Sequence, residues 1–502
     1  MKAACATKLG ITVISALVIA LSQASAAPPI YNATRIGALP GGNASFGTDI
    51  NFNGDVVGWS WTNGTTAPHA WRYSGTTLTD FGTLGGVGAT AHAINDAGNY
   101  VGLVTLAGGG FAPYVVTGGT GQLLSVTGAT GGNVYDINAN GQIAGDLVFG
   151  GVRSATIYTQ AGVTNLGTFG RTSATASAIN DSGQVAGWTS DGAGGLRAFR
   201  FSGGSFTDLG TLPGGTVSQA IDINARGEVV GYSTTSGVNT PRAFLYAGGQ
   251  LTSLGTLGGS TSAAQSINDS GQIVGEALTG LGATNGFLYT DGAMYDLNTL
   301  VVSGLGGARL TNGIAINNKG QIVAQACPTA ITCQTFKLDP TAPAGKVRAI
   351  EYYHAGFDHY FLTTIDDEVT KLDNGTFVGW ARTGESLNLD STAAAGTVTV
   401  CRFFSATFAP KSSHFYTPFT SECDTVKADP VWTFEGDVFR VALPDSAGAC
   451  AAGRIAVYRL YNNGMSGAPN HRYTTSLNIR TAMIARGWIP EGLGPQGVIM
   501  CV

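Results

Sequence analysis

Between residues 31 and 339 the apolar positions come in short runs that alternate with polar ones and are separated by turns rich in Gly, Asn, Asp and Ser. Alternation with a period of two predicts strands, and no helix-length stretch with a 3.6-residue period interrupts them. The pattern itself recurs. Ala, two spacers, Ile-Asn, a polar turn with Gly, then two small apolar residues and usually Gly appear seven times, with the Asn at Asn51, Asn95, Asn138, Asn180, Asn224, Asn268 and Asn317. The steps are 44, 43, 42, 44, 44 and 49 residues. Around Asn224 one copy reads as four strands, 218–224, 228–233, 242–246 and 251–257. Seven four-stranded units predict a mainly β fold, a seven-bladed propeller. Asn and Gly both tolerate the left-handed backbone of a hairpin turn, and a residue present in every copy is first explained by what every copy builds. The seven Asn therefore read as structural.

Each copy has an aromatic third strand, marked by Trp71, Tyr114, Tyr158, Phe199, Phe244, Phe287 and Phe336. A Leu-Gly-Thr-Leu type fourth strand follows the first six. After Phe336 the chain runs into Pro340 and a linker at 340–346, whereas a matching strand, 34–39, stands near the N-terminus. That strand is expected to complete the last blade of a propeller over 27–339, closing the ring and removing an exposed sheet edge. The Ile-Asn-Asp-Ser-Gly-Gln segments at 179–184 and 267–272, Arg-Ala-Phe at 197–199 and 242–244, and Leu-Gly-Thr-Leu-Gly-Gly at 254–259 resemble the HAF-type extracellular repeat family of bacterial exported proteins. The resemblance covers about residues 31–339. It implies a secreted or surface address and supplies no catalytic residue. The third copy departs most, with Ser-Val-Thr-Gly at 125–128 and Ser-Ala-Thr-Ile at 154–157.

From 347 to 502 aromatics become dense and a threefold repeat replaces the sevenfold one. His359, His414 and His471 each open a His-aromatic-Thr segment, in steps of 55 and 57, and Trp380, Trp432 and Trp488 each precede Gly384, Gly436 or Gly492 by four. Glu435 and Glu491 stand before that Gly, but the first copy has Thr383. Segments such as 366–372 and 478–484 read as one short helix per unit. A smaller three-unit α+β domain, trefoil-like in symmetry, is expected. The region looks like an uncharacterised domain family built from His-Phe-Tyr-Thr and Trp-x-x-Glu-Gly units, often appended to secreted bacterial hydrolases; the resemblance implies an accessory role.

Lys2 and Lys8, the apolar run 9–21 and the small-residue stretch 22–27 read as a secretory signal over residues 1–26. The run is too short to span a bilayer and no second one follows, so the mature chain is expected to lack a transmembrane segment and to reach the periplasm, cell surface or exterior. Six Cys lie beyond the signal, which suits an oxidising compartment. Proximity and repeat position favour Cys327 with Cys333, Cys401 with Cys423, and Cys450 with Cys501. Charged residues make up 11% of the chain and the net charge is −5, leaving no basic stripe for nucleic acid or anionic lipid. No cofactor is predicted.

Positions that vary between copies are free to specify a site. The residue after the Val-Gly or Ala-Gly step is one: Trp59, Leu103, Asp146, Trp188, Tyr232, Glu276 and Gln325. Aromatics beside carboxylates and an amide suit sugar rings, with packing between blades as the competing explanation. Asp49, Asn51 and Asn53 match the start of a calcium loop, but its twelfth position is Ser60 and most other copies replace Asp49 by Ala or Ser. His359, His414 and His471 could converge as a three-His zinc site. No Gly-x-Ser-x-Gly elbow appears, and His69 and His92 are the only His of the propeller region. The sequence thus favours a noncatalytic binding or adhesion protein with an extracellular glycan or surface protein as partner. A secreted carbohydrate-active hydrolase or lyase with its site at the propeller mouth, and a purely structural surface protein, are the alternatives.

Overall fold

The computed structural model describes residues 28–502 apart from 63–66, 125–126, 236–237 and 330–331. The expected secretory signal lies outside the described residues. Six four-stranded antiparallel sheets follow one another, at 45–80, 88–123, 131–167, 173–210, 218–255 and 258–296. A seventh is built from Asn312–Ile316, Ile322–Ala326 and Gln334–Thr341, and its fourth strand is Ile30–Ile36, antiparallel to Gln334–Thr341. This is a seven-bladed propeller whose ring is closed by the N-terminal strand. One strand was not foreseen: Val301–Ser303 runs parallel to Ile30–Ile36 and adds a fifth strand at that rim.

The Asn-bearing strand is the innermost of each blade, touching its counterparts on either side around the ring. The recurring Gly of the second strand lies under the third-strand aromatic. A Cβ on Gly58 would stand 2.6 Å from the Trp71 ring, and one on Gly187 2.8 Å from Phe199. Burying such a ring contributes about 1.5–3 kcal/mol. Blade 3 does this differently: Thr156 faces Gly145, and Tyr158, two residues on, leans back over the same Gly. Tyr158 is therefore not the register equivalent of Trp71, because the blade moved its aromatic along the strand.

The seven Asn side chains form a closed ring. Each Nδ2 donates to the main-chain carbonyl of the next blade's Asn: Asn51 to Asn95 at 3.2 Å, Asn95 to Asn138 at 3.0 Å, Asn138 to Asn180 and Asn180 to Asn224 at 2.9 Å. Asn224 continues to Asn268 at 3.2 Å, Asn268 to Asn317 at 3.0 Å, and Asn317 returns to Asn51 at 2.8 Å. Each Oδ1 accepts the N–H four residues on, for example Gln142 at 2.9 Å. Buried amides are costly to leave unpaired, so the motif keeps its Asn. The left-handed turn position belongs to the following Gly, such as Gly54 and Gly98, and not to the Asn.

A second device sits two residues before each Asn, where every inner strand shifts register. Such a bulge calls for a side chain to meet the next N–H. Asp49 accepts from Ile50 and from Ile94 of the next blade, both at 2.8 Å. Asp136 accepts from Ile137 and Ile179 at 2.7 Å, and Asp222 from Ile223 at 2.7 Å and Ile267 at 2.8 Å. The Ser266 hydroxyl takes Ile316 at 3.3 Å. Since one Asp serves two blades, Ala93 and Ala178 suffice in the blades that follow. One residue after the Asn the pattern is complementary. Asp96, Asp181 and Asp269 accept from Phe52, Ala139 and Ala225 of the preceding blade, each at 2.8 Å, and Asn318 accepts from Asp269 at 2.8 Å.

The next strand after Gln334–Thr341, Lys346–His354, opens a C-terminal module of three repeated units. Each has a hairpin, a short helix (Asp366–Asp373, Thr420–Lys427, Leu477–Ala485) and a returning strand, all joined in one sheet. Arg402 pairs with Glu368 of the preceding unit's helix at 2.6 Å and with Glu435 at 2.7 Å; Arg459 pairs in the same way with Glu422 at 2.9 Å and Glu491 at 3.0 Å. The first unit has Glu351 at the equivalent place, and its surroundings change to match. Ile479 replaces the helix Glu, Thr383 replaces the returning-strand Glu and donates to Glu351 at 2.7 Å, and Arg472 supplies the cation at 2.8 Å. The Cys pair as expected, 327 with 333, 401 with 423 and 450 with 501.

Candidate functional site

The propeller ring has two faces, one of which carries the seven Asn turns. In the second strands the seven varied residues occupy one row: Trp59 is opposite Phe46, Leu103 opposite Thr90, Asp146 opposite Asn133, Trp188 opposite Thr175, Tyr232 opposite Gln219, Glu276 opposite Ala263 and Gln325 opposite Asn312. Each is the fourth residue of the second strand of its blade. Trp59 stacks on Phe46 with centroids 4.1 Å apart and meets Trp61 edge-on at 5.0 Å, and all three rings stay partly exposed. Tyr232 donates to Gln219 at 2.6 Å, and Gln325 reaches the Gly47 carbonyl of blade 1 at 3.3 Å. Glu276 is partly exposed, and burial raises its pKa above the usual carboxylate range. Asp146 differs from the rest. It is 0% exposed, and its oxygens accept from Asn133 at 3.1 Å, from Tyr135 at 3.2 Å and from Arg153, so it braces the blade.

At the Asn-turn end the first unit of the C-terminal module lies over the mouth. Lys319 bridges to Asp373 at 3.3 Å, and a Cβ on Gly384 would stand 1.8 Å from the Ser270 hydroxyl, so the recurring Gly of the Trp-x-x-x-Gly segment permits this docking. Between the two parts lies a chamber of about 240 Å³ whose walls include Phe52, Asp96, Asp269, Tyr352, Trp380 and Arg382. Arg382 binds Asp373 through two bonds of 2.8 and 2.7 Å, and Tyr352 donates to the same carboxylate at 2.9 Å. Burial acts to raise the Asp373 pKa, but the Arg382 bonds and Lys319 outweigh it and hold the group below the usual range. Asp96 goes the other way, raised by burial and by the charges of Asp181 and Asp269. The sequence did carry a trace of this chamber, an Asp after the Asn in every second blade. Trp380 and Arg382 could be placed there only by the docking of the module.

The metal candidates are otherwise engaged. Asp49 spends both oxygens on backbone N–H groups, Asn51 belongs to the amide ring, and Asn53 donates to the Asp96 carbonyl at 3.2 Å. These bonds give the Asp49 and Asn51 oxygens structural partners in the main chain. In the module, Leu362, Tyr416 and Tyr473 face Glu351, Arg402 and Arg459, so Tyr360, not His359, is the equivalent of His414 and His471. The one extra residue in His359-Tyr-Phe-Leu-Thr363 displaced the apparent match. His359 bonds the Ser412 carbonyl at 2.8 Å, His414 stacks on Phe361 at 4.2 Å, and His471 lies 3.3 Å from Glu491. Among the described residues no three His, Cys, Asp or Glu side chains are grouped to hold a metal ion.

A family model described as a domain of unknown function, DUF5648, matches residues 348–498, the C-terminal module. No curated protein matches the chain. Solved structures similar to it include a β-propeller domain. The β-propeller domain of the trilobed protease from Pyrococcus furiosus, which has an open velcro topology, is 10% identical with a TM-score of 0.42, over 59% of this chain and 96% of that one. An acylaminoacyl peptidase from Pyrococcus horikoshii is 8% identical with a TM-score of 0.41, over 63% and 57%. TolB from Acinetobacter baumannii is 13% identical with a TM-score of 0.31, over 42% and 53%. Among the described residues no helix is long and apolar enough to cross a membrane.

Proposed function

We propose that this is an exported, noncatalytic binding protein that holds an extracellular glycan at the mouth of the propeller away from the C-terminal module. The observation that carries the reading is the partly exposed Phe46, Trp59 and Trp61 cluster, with Trp188, Tyr232, Glu276 and Gln325 in the same row of the other blades. Flat apolar faces next to carboxylate, amide and phenol groups match the two kinds of surface a sugar ring presents. The HAF-type segments, the signal-like N-terminus and the three disulfides support an exported address. A glycan array on the mature protein, with a Trp59→Ala, Trp188→Ala double variant beside it, tests this. Glycans held by the native chain and lost by the variant are expected. Absence of any bound glycan, or equal retention by the variant, overturns the reading, and turnover of a polysaccharide transfers the site to a hydrolase or lyase.

A further inference from the structure

The covered mouth has chemistry of its own. Lys319 and Arg382 both face Asp373, whereas Asp96, Asp181 and Asp269 enter none of the ion pairs among the described residues. Each of the three keeps one oxygen on a backbone N–H of the preceding blade, and the second oxygen of Asp269 accepts from the Asn318 amide at 2.6 Å. The chamber lining itself thus holds three carboxylates, Asp96, Asp269 and Asp373, against one guanidinium, Arg382, with Lys319 at its edge. Its walls are also aromatic, with Phe52, Tyr352 and Trp380 lining the same space. The chain already lodges an alkylammonium at the edge: the Lys319 Nζ lies 4.5 Å from the Phe52 centroid and 3.3 Å from Asp373. An aromatic face beside a carboxylate is the pairing that holds organic cations, because the ring quadrupole and the charge attract the ammonium while the ring accepts its methylenes.

We propose that the chamber between the propeller and the first unit of the module binds a small protonated alkylamine, with Asp96 and Asp269 as counter-charges and the Phe52 and Trp380 rings as its apolar walls. At about 240 Å³ the space falls below the ~300–1,000 Å³ of drug-sized pockets, which favours a short linear amine over a larger ligand. The site is separate from the glycan mouth and does not depend on it.

Titration calorimetry on the whole mature chain with 1,5-diaminopentane, and with 1,5-pentanediol as its uncharged counterpart, tests the assignment. The diamine is expected to bind and to weaken as salt is raised, and the diol to give no signal. Asp96→Asn with Asp269→Asn keeps an oxygen for the backbone N–H groups and removes the charge; it should weaken the diamine about tenfold. Phe52→Ala, which leaves every carboxylate in place, should weaken it several-fold, and Trp59→Ala with Trp188→Ala should leave it unchanged. No diamine binding, equal binding of diol and diamine, or native affinity in both chamber variants overturns the proposal.

Discussion

The propeller and the C-terminal module are both built by repetition, yet they hold their copies together by different means. In the propeller, neutral amides and shared Asp residues bind main-chain groups of the next blade, and the partner is present whatever its side chain is. The Asn can therefore stay the same seven times. In the module, Tyr416 and Tyr473 also donate to a backbone carbonyl of the preceding unit, but ion pairs between side chains join the copies as well, Arg402 with Glu368 and Arg459 with Glu422, and there a change on one side must be answered on the other. The first unit shows such an answer, with Glu351, Arg472, Thr383 and Ile479 all differing together. Backbone-directed bonds preserve a residue type; side-chain pairs preserve a charge balance and let the residues move.

The largest effect should come from breaking that balance. Glu351 is 2% exposed, so Arg472→Met leaves an uncompensated carboxylate and should cost about 3–5 kcal/mol in denaturant unfolding. A loss below about 1 kcal/mol would show that the pair is not holding the units together. The sharper version starts from Glu351→Arg. Adding Arg472→Phe, Ile479→Glu and Thr383→Glu gives the first unit the pattern of the second, and should recover most of the stability that Glu351→Arg loses alone. In the propeller, Asn138→Ala removes the acceptor for Gln142 and the donor to Asn180 and should cost about 1–3 kcal/mol. Asn180→Ala and Asn224→Ala should cost similar amounts; widely different values would mean that the ring is not shared evenly.

The smallest and most discriminating effect is a pH response of opposite sign. Burial first, and then neighbouring carboxylates, push Asp136 up to about 7, and burial pushes Asp222 up to about 6. The native state holds these protons more tightly than the unfolded chain, so their contribution is full below about pH 4 and declines as pH rises toward 6–7. Burial lowers the pKa of His414, facing Phe361, Phe404, Arg402 and Glu435, and of His471, facing Phe415, Tyr461, Arg459 and Glu491. Their contribution is present above about pH 6.5 and is lost as pH falls below it. Hydrogen exchange resolved by region, compared at pH 5 and pH 7.5 after correction for intrinsic rates, should show the inner strands better protected in acid and the module hairpins worse. Parallel changes in both would contradict the assignment.

Blade number, ring closure and the Cys pairs were legible in the sequence because each follows from counting along the chain. The equal register of the residues from Trp59 to Gln325 was legible for the same reason, since equal spacing from the Asn gives equal positions in each second strand. Asp146 was not, because its burial depends on Tyr135 and Arg153, whose directions no spacing gives. His359 misled because one inserted residue shifts a strand position to its other face, while the motif still looks aligned. The chamber was out of reach, since it exists only where residues near 96, 269 and 380 meet across the two parts.

The Asp residues shared between blades give the propeller a hidden parity. Blades 1 and 2, 3 and 4, and 5 and 6 are married by Asp49, Asp136 and Asp222, and in the opposite direction by Asp96, Asp181 and Asp269. Couples cannot tile an odd ring. The seventh blade is joined to the sixth by two neutral substitutes, Ser266 and Asn318, which act as the misfit seam of an otherwise two-blade lattice. A ring enlarged or reduced by one blade would need no such seam, and one changed by a whole couple would keep it. The composition of two small polar residues therefore records that this ring has an odd number of blades.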